Sequence, residues 1–118
     1  MTDLPAIDLD AIANLQDLNP GDGGEFLREI VSIYLEDTPK RIAEMKTALA
    51  QGDLVGFTRA AHTIKGSSAN VGAQVLKAVA ERLEYQSRME GLGGVGPLIA
   101  DCDAAFAAAA VELKRLAT

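Results

Sequence analysis

The stretch that decides the fold is DLVGFTRAAHTIKGSSANVGAQVLKAVAERLEYQSRME, Asp53–Glu90. Two helical runs flank one breaker. With successive residues about 100° apart, Leu54, Phe57, Ala61, Ile64 and Ser68 fall in one sector. Leu76, Val79, Ala80 and Leu83 share a face in the second run. Asp53 has the short acceptor side chain of an N-cap, and Gly52 before it suits the residue just past a helix end. Gly72 punctuates the pair. The spacing predicts helices over Leu54 to Asn70 and over roughly Ala73 to Glu90. A short turn sets neighbours antiparallel, so residues 53–90 read as a helical hairpin.

Working outward, Asp8 can cap a short helix to Leu15, with Ile7, Ala11, Ile12 and Leu15 on one side. LNPGDGG breaks it. Asp22 stands three places before Glu25, a spacing like a capping box. Phe26, Leu27, Ile30, Val31, Tyr34 and Leu35 then recur at helical spacing. Pro39 interrupts this run, and DTPKR is expected to start a new or kinked helix, because proline is tolerated in a first turn. Ile42, Met45 and Leu49 continue the stripe. GLGGVGP reads as a loop. A last helix is expected from about Pro97 to Leu116, with Leu98, Cys102, Phe106, Ala109, Leu113 and Leu116 inward. No run alternates with period two. The expected fold is therefore all-α: one domain over residues 1–118, an antiparallel up-and-down four-helix bundle. One or two short N-terminal pieces, within a cap segment at 1–20, would cover an end.

At 118 residues the chain can bury a core without disulfides or a structural metal. A net charge of −6 argues against a general nucleic-acid binder. The one cysteine, Cys102, allows no internal disulfide. MTDLPAIDLD lacks the pattern of a signal peptide, and AAFAAAAV is too short to span a membrane. A cytoplasmic, free-standing protein with no membrane or nucleic-acid partner is expected. GLGGVG, Gly91–Gly96, matches the dinucleotide fingerprint letter for letter. That fingerprint needs a strand before it, and here a charged helix precedes it, so an interhelix turn is expected.

The only histidine, His62, points about 120° away from the core sector of its helix. Thr58 and Gly66 lie one turn away on its face; Val55 and Ala69 lie two turns away. A glycine inside a helix costs about 0.5–1 kcal/mol relative to alanine. At Gly66 the gain would be clearance over the ring. Arg59 and Lys65, three residues to either side, are helix-surface neighbours of the ring. Two cations there would favour a neutral, nucleophilic imidazole and would offset an anion placed on it. The hydroxyl of Ser68 lies in the core sector, where a small residue serves close packing. The residues alone leave His62 as either a reactive group or an inert surface side chain.

AHTIKGSSANVGA resembles the signature of the histidine-containing phosphotransfer (HPt) domains of bacterial and plant phosphorelays. That pattern is His, any residue, an aliphatic residue, Lys, Gly, two small residues, then an aliphatic residue and Gly. His62, Ile64, Lys65, Gly66, Ser67, Ser68, Val71 and Gly72 match it. FLREIVSIYLEDTPKRIAEM and ALAQGDLVGFTRAAH resemble the preceding helices of the family more loosely. The resemblance implies that His62 accepts a phosphoryl group from a receiver-domain aspartate and passes it to another response regulator. Lys65 would contact the phosphate or the receiver's acidic site, and Gly66 would leave room for docking. Val55, Thr58 and Ala69 are candidates for the docking surface. The family often places a Gln or Glu on the next helix against the other imidazole nitrogen. Antiparallel geometry puts the level of His62 near Arg82 to Glu84, so Glu84 is the candidate. A solvated charge, or a partner for Arg59 or Arg88, remains the other reading of Glu84. No cofactor of its own is implied; Mg2+ would come with the receiver. The implied partners are receiver domains or a hybrid histidine kinase, and a monomer is expected because the active face must stay accessible. The alternatives are a domain phosphorylated directly by a histidine kinase, or a non-catalytic interaction bundle. A Ser/Cys-His hydrolase is disfavoured, since Cys102 faces inward and no nucleophile elbow occurs.

Overall fold

The computed structural model describes residues 4–117, and every regular element among them is a helix: α1 Leu9–Asp17, α2 Glu25–Gln51, α3 Leu54–Asn70, α4 Gln74–Glu90 and α5 Gly96–Leu116. The expected four long helices and one short N-terminal helix are present. The α2–α3 turn is Gly52 and Asp53, and the α3–α4 turn is Val71 to Ala73. Each long helix packs on its sequence neighbours, and α2 meets α5 to close the ring. The core lies along the axis of that ring. Its largest fully buried side chains include Met45, Phe57, Ile64, Leu76, Leu83 and Leu113.

Two corrections concern α2. No new helix begins at Pro39; α2 runs unbroken for 27 residues through it. Proline in a helix interior removes one hydrogen bond and costs about 3 kcal/mol. Pro39 lies on the exposed side, where water can serve the carbonyl left without a partner. The buried stripe Val31, Tyr34, Thr38, Ile42 and Met45 passes straight under it, and that burial offsets the loss. The cap also differs. Gly24, at φ 82°, is the N-cap residue, and Asp22 reaches over it to accept from the Gly24 and Phe26 amides at 2.8 and 2.9 Å. The Phe26 amide, foremost, holds the Asp22 carboxyl below its usual range.

The hairpin follows its local chemistry. Asp53 caps α3 by accepting from the Gly56 amide at 2.9 Å, and Gly52 ends α2 at φ 69°. One core assignment changes: Leu54 is 40% exposed and Ala60 is buried instead. Leu54 opens α3, and Cβ bonds lean toward a helix N-terminus, so its side chain projects past the core. At the far end, the Asp8 amide donates to the Gly72 carbonyl at 2.7 Å, and the Gln74 amide group donates to the Pro5 carbonyl at 2.9 Å. The N-terminal segment is thereby seated on the α3–α4 turn with Ile7 and Ile12 buried. Gly91 to Val95 link α4 to α5, while Gly96 and Pro97, expected in that loop, open α5.

Candidate functional site

His62 stands on the middle of α3 with its side chain 64% exposed. Its Nδ1 lies 2.7 Å from Glu84 Oε2 on α4. Glu84 is buried, because the α4 face that carries Ala80, Leu83 and Ser87 is pressed against the bundle. Across this seam the hydroxyls of Thr58 and Ser87 share a hydrogen bond of 2.8 Å. Glu84 is therefore no solvated charge. It accepts from three donors: His62, Lys65 Nζ at 2.5 Å on Oε1, and Arg88 Nη2 at 2.9 Å on Oε2.

The chemistry follows from this arrangement. An ionised carboxylate only accepts, so in the neutral ring Nδ1 carries the proton and Nε2 keeps its lone pair. Burial pushes the Glu84 carboxyl up, but hydrogen bonds and charge from Lys65 and His62 outweigh it and hold it below its usual range. The carboxylate stays ionised and fixes the ring's tautomer and direction. Lys65, expected beside the ring as a cation, spends its charge on Glu84 and is reached from there. Arg59 joins Leu54, Val55, Thr58, His62 and Arg88 around a shallow groove next to the imidazole. Val55 is 66% exposed there, whereas Ala69 is exposed but lies outside the groove. Thr58 belongs partly to the α3–α4 seam. A Cβ placed on Gly66 would meet no atom within 4 Å. Among the described residues, no neighbour requires a glycine at that position.

Arg88 is the site residue that sequence reasoning treated only as a possible neighbour of Glu84. Its signal was the i, i+4 spacing from Glu84. The other candidate nucleophiles are occupied. Ser68 is buried and shares a 2.8 Å hydrogen bond with the Tyr34 hydroxyl, and Ser67 donates to the Thr63 carbonyl at 3.1 Å. Burial pushes the Cys102 thiol up to about 11, so it is no thiolate at neutral pH. Among the described residues, no three His, Cys, Asp or Glu side chains gather to hold a metal ion. No helix among them is long and apolar enough to cross a membrane.

A family model described as the Hpt domain matches residues 29–117, which include the whole His62–Glu84 site. The chain belongs to the Hpt domain family. The HPt fold is shared over 94% of this chain and 93% of histidine-containing phosphotransfer protein B from Pseudomonas aeruginosa, with a TM-score of 0.85 and 27% identity. The HPT domain of a sensor hybrid histidine kinase from Shewanella has the same fold, with a TM-score of 0.76 at 18% identity, over 97% of this chain and 95% of that one. Multistep phosphorelay regulator 1 of Schizosaccharomyces pombe is 31% identical over 93 residues, or 79% of this chain. Histidine-containing phosphotransfer protein 2 of Arabidopsis thaliana is 34% identical over 71 residues, or 58% of this chain. The chain spans only 32% and 46% of the lengths of these last two proteins.

Glu84→Gln tests the carboxylate. For the phosphoryl transfer proposed below, the rate is expected to fall about 10–100-fold, the scale on which losing an orienting carboxylate weakens metal-binding histidines. Stability carries a pH signature. Unfolded chains take up the proton at the ordinary glutamate value of 4.5, whereas the folded carboxyl stays ionised to lower pH. The unfolded state then binds more protons, so this contribution is complete above pH 4.5 and is lost as pH falls through the folded value. The urea midpoints of wild type and Glu84→Gln should converge below that pH. A gap that does not change with pH would overturn the assignment.

Proposed function

We propose that this HPt domain is a phosphorelay intermediate in which His62 Nε2 accepts a phosphoryl group from the aspartyl phosphate of one receiver domain and hands it to the aspartate of another. The observation that carries this is the pairing of an outward Nε2 lone pair with an Nδ1 held on a buried carboxylate. In the first step the acyl-phosphate P–O bond breaks, an N–P bond forms on Nε2, and the aspartate leaves as a free carboxylate. The Nδ1 proton stays against Glu84 and offsets the charge of the new group. The return step reverses these bonds.

Phosphoryl transfer asks for alignment and charge neutralisation more than for covalent machinery. The rigid middle of α3 supplies the alignment. Lys65 and Arg88 sit within one carboxylate of the ring, so either can turn from Glu84 toward the incoming phosphoryl oxygens. Arg59 adds a third cation at the groove. Exposed Leu54 and Val55 offer the receiver an apolar footing beside the histidine. Mg2+, when the receiver brings it, neutralises charge on the transferring group. The domain acts as a carrier with no kinase activity of its own, in the cytoplasm where receivers reside. The names of its relatives from the yeast and the plant support this role.

The test is incubation with a panel of phosphorylated receiver domains. Transfer of an acid-labile, base-stable phosphate to this protein is the expected result. Labelling by a histidine kinase alone, with every receiver silent, would replace the shuttle with a direct kinase substrate. Gly66→Gln adds a sharper measurement. The side chain has room within the domain, and replacing a mid-helix glycine should raise stability by about 0.5–1 kcal/mol. Transfer should nevertheless fall about 10²-fold, because the side chain displaces the docked receiver. A more stable protein with undiminished transfer would refute the clearance argument.

A further inference from the structure

The stretch AAFAAAAV, Ala104–Val111, is apolar at every position. A helix that is apolar all round belongs in an interior. Yet α5 has a solvent side, and Ala104, Ala107, Ala108 and Val111 are exposed on it. A groove runs along this side between α5, α4 and the segment before α1. Leu4, Val75, Val79, Ala104 and Ala108 line it, with Arg82 and Asp101 also on its wall. Ala108 carries it into a second hollow with Leu9 and Val111, bordered by Glu112 and Arg115. Leu4, Leu9 and Val111 are 52%, 63% and 66% exposed. Among the described residues, a continuous apolar face with charged ends is thus left open to solvent.

We propose that a second copy of this chain covers this face, in a two-fold dimer with the two α5 helices antiparallel. Asp101, Ala104, Ala108, Val111 and Arg115 recur at spacings of three and four, the seam of a helix pair. The alanines let the helix axes approach closely. The charges are self-complementary. A two-fold axis beside Ala108 sets residues seven before it against residues seven after it. Asp101 then faces the partner subunit's Arg115, and Arg82 comes toward the partner subunit's Glu112. Symmetry makes each pair twice. Within one chain Arg115 already meets Glu112 at 2.6 Å, so the cross pairs extend an existing ion pair into a network. A membrane surface would call for a cationic rim, and this rim is balanced, with two acidic and two basic side chains.

The dimer leaves the HPt site open. On α4, Val75, Val79 and Arg82 point to the groove, while Glu84 and Arg88 lie about 150° round the helix. The requirement behind the expected monomer, access to His62, is met equally well by this dimer.

Sedimentation velocity on the intact chain, across a micromolar to high-micromolar series, tests the proposal. The mass should rise from one copy to two with concentration. Ala108→Glu, at an exposed helix-compatible position, should remain a single copy throughout with unchanged helicity. Asp101→Arg should weaken association about tenfold through two lost ion pairs. Adding Arg115→Asp to it should restore the association. A wild-type mass of one copy at every concentration would overturn the dimer and leave the face to another occupant. Dimerisation of Ala108→Glu as strong as wild type would place the interface elsewhere. A double variant as weak as Asp101→Arg would overturn the antiparallel pairing.

Discussion

His62→Gln is expected to fold as the wild type does and to take no phosphoryl group from any receiver. The side chain is 64% exposed and fills no core space. Glutamine is a fair helix former of similar reach, and Glu84 keeps Lys65 and Arg88 when the imidazole leaves. One partly exposed hydrogen bond is lost, so stability should change by no more than about 1 kcal/mol. The amide has no lone pair able to attack phosphorus, and neither buried Ser68 nor buried Cys102 can substitute. Transfer should drop at least ~10³-fold, the scale seen when an enzyme loses its nucleophile. Acid-stability of the label and thermal melting by circular dichroism check both halves. Label persisting on the variant would move the acceptor to another residue and remove the basis of the proposed shuttle.

Gly72→Ala is expected to be the most damaging single-methyl change to the fold. Gly72 holds φ at +74°, in the left-handed region, where an alanine costs roughly 1–2 kcal/mol. The added Cβ would also stand 2.7 Å from the Ala11 Cβ and 2.9 Å from the Asp8 carbonyl oxygen. Neither contact can relax by turning a flexible side chain. Separation would lift α1 and break the hydrogen bond from the Asp8 amide to the Gly72 carbonyl. Strain and overpacking together should cost about 2–4 kcal/mol. For a domain of this size the melting temperature would fall by roughly 10 °C. Ala11→Gly in the same chain should recover only part of this, since the backbone strain and the Asp8 contact remain. A loss below about 0.5 kcal/mol by urea unfolding would show that α1 is not seated on this turn as described.

The two glycines of the motif thus separate by cause. Gly72 is required by packing inside the domain, and Gly66 is not. Both look alike in the sequence, where each is a small residue in or beside a helix. What distinguishes them is what a Cβ would touch: at Gly72 it meets Ala11 and Asp8, more than fifty residues away, and at Gly66 it meets nothing among the described residues.

Helix boundaries were largely legible because their causes are local. Asp53 accepts the amide of a residue three places on, and Gly52 needs only its own φ. No new helix starts at Pro39 because its local cost is outweighed by burial of a stripe on the opposite side of α2, which no local rule weighs. Leu54 was misjudged because periodicity assigns a face without saying where along the helix the core begins.

The sequence by itself determined that the chain is a bundle of amphipathic helices and that His62 faces away from its own helix's core, above a glycine and between cations. Those facts depend on spacing along one helix, and spacing is written in the chain. Only the tertiary structure decided that Glu84 is buried beneath the ring, that Lys65 serves that carboxylate, and that Arg88 completes the set. Each depends on how far α4 is rotated and shifted against α3. That rotation is set by the packing of Leu83, Ala80 and Ile64 in the shared core, where one residue of slip would turn Glu84 about 100° away from the histidine.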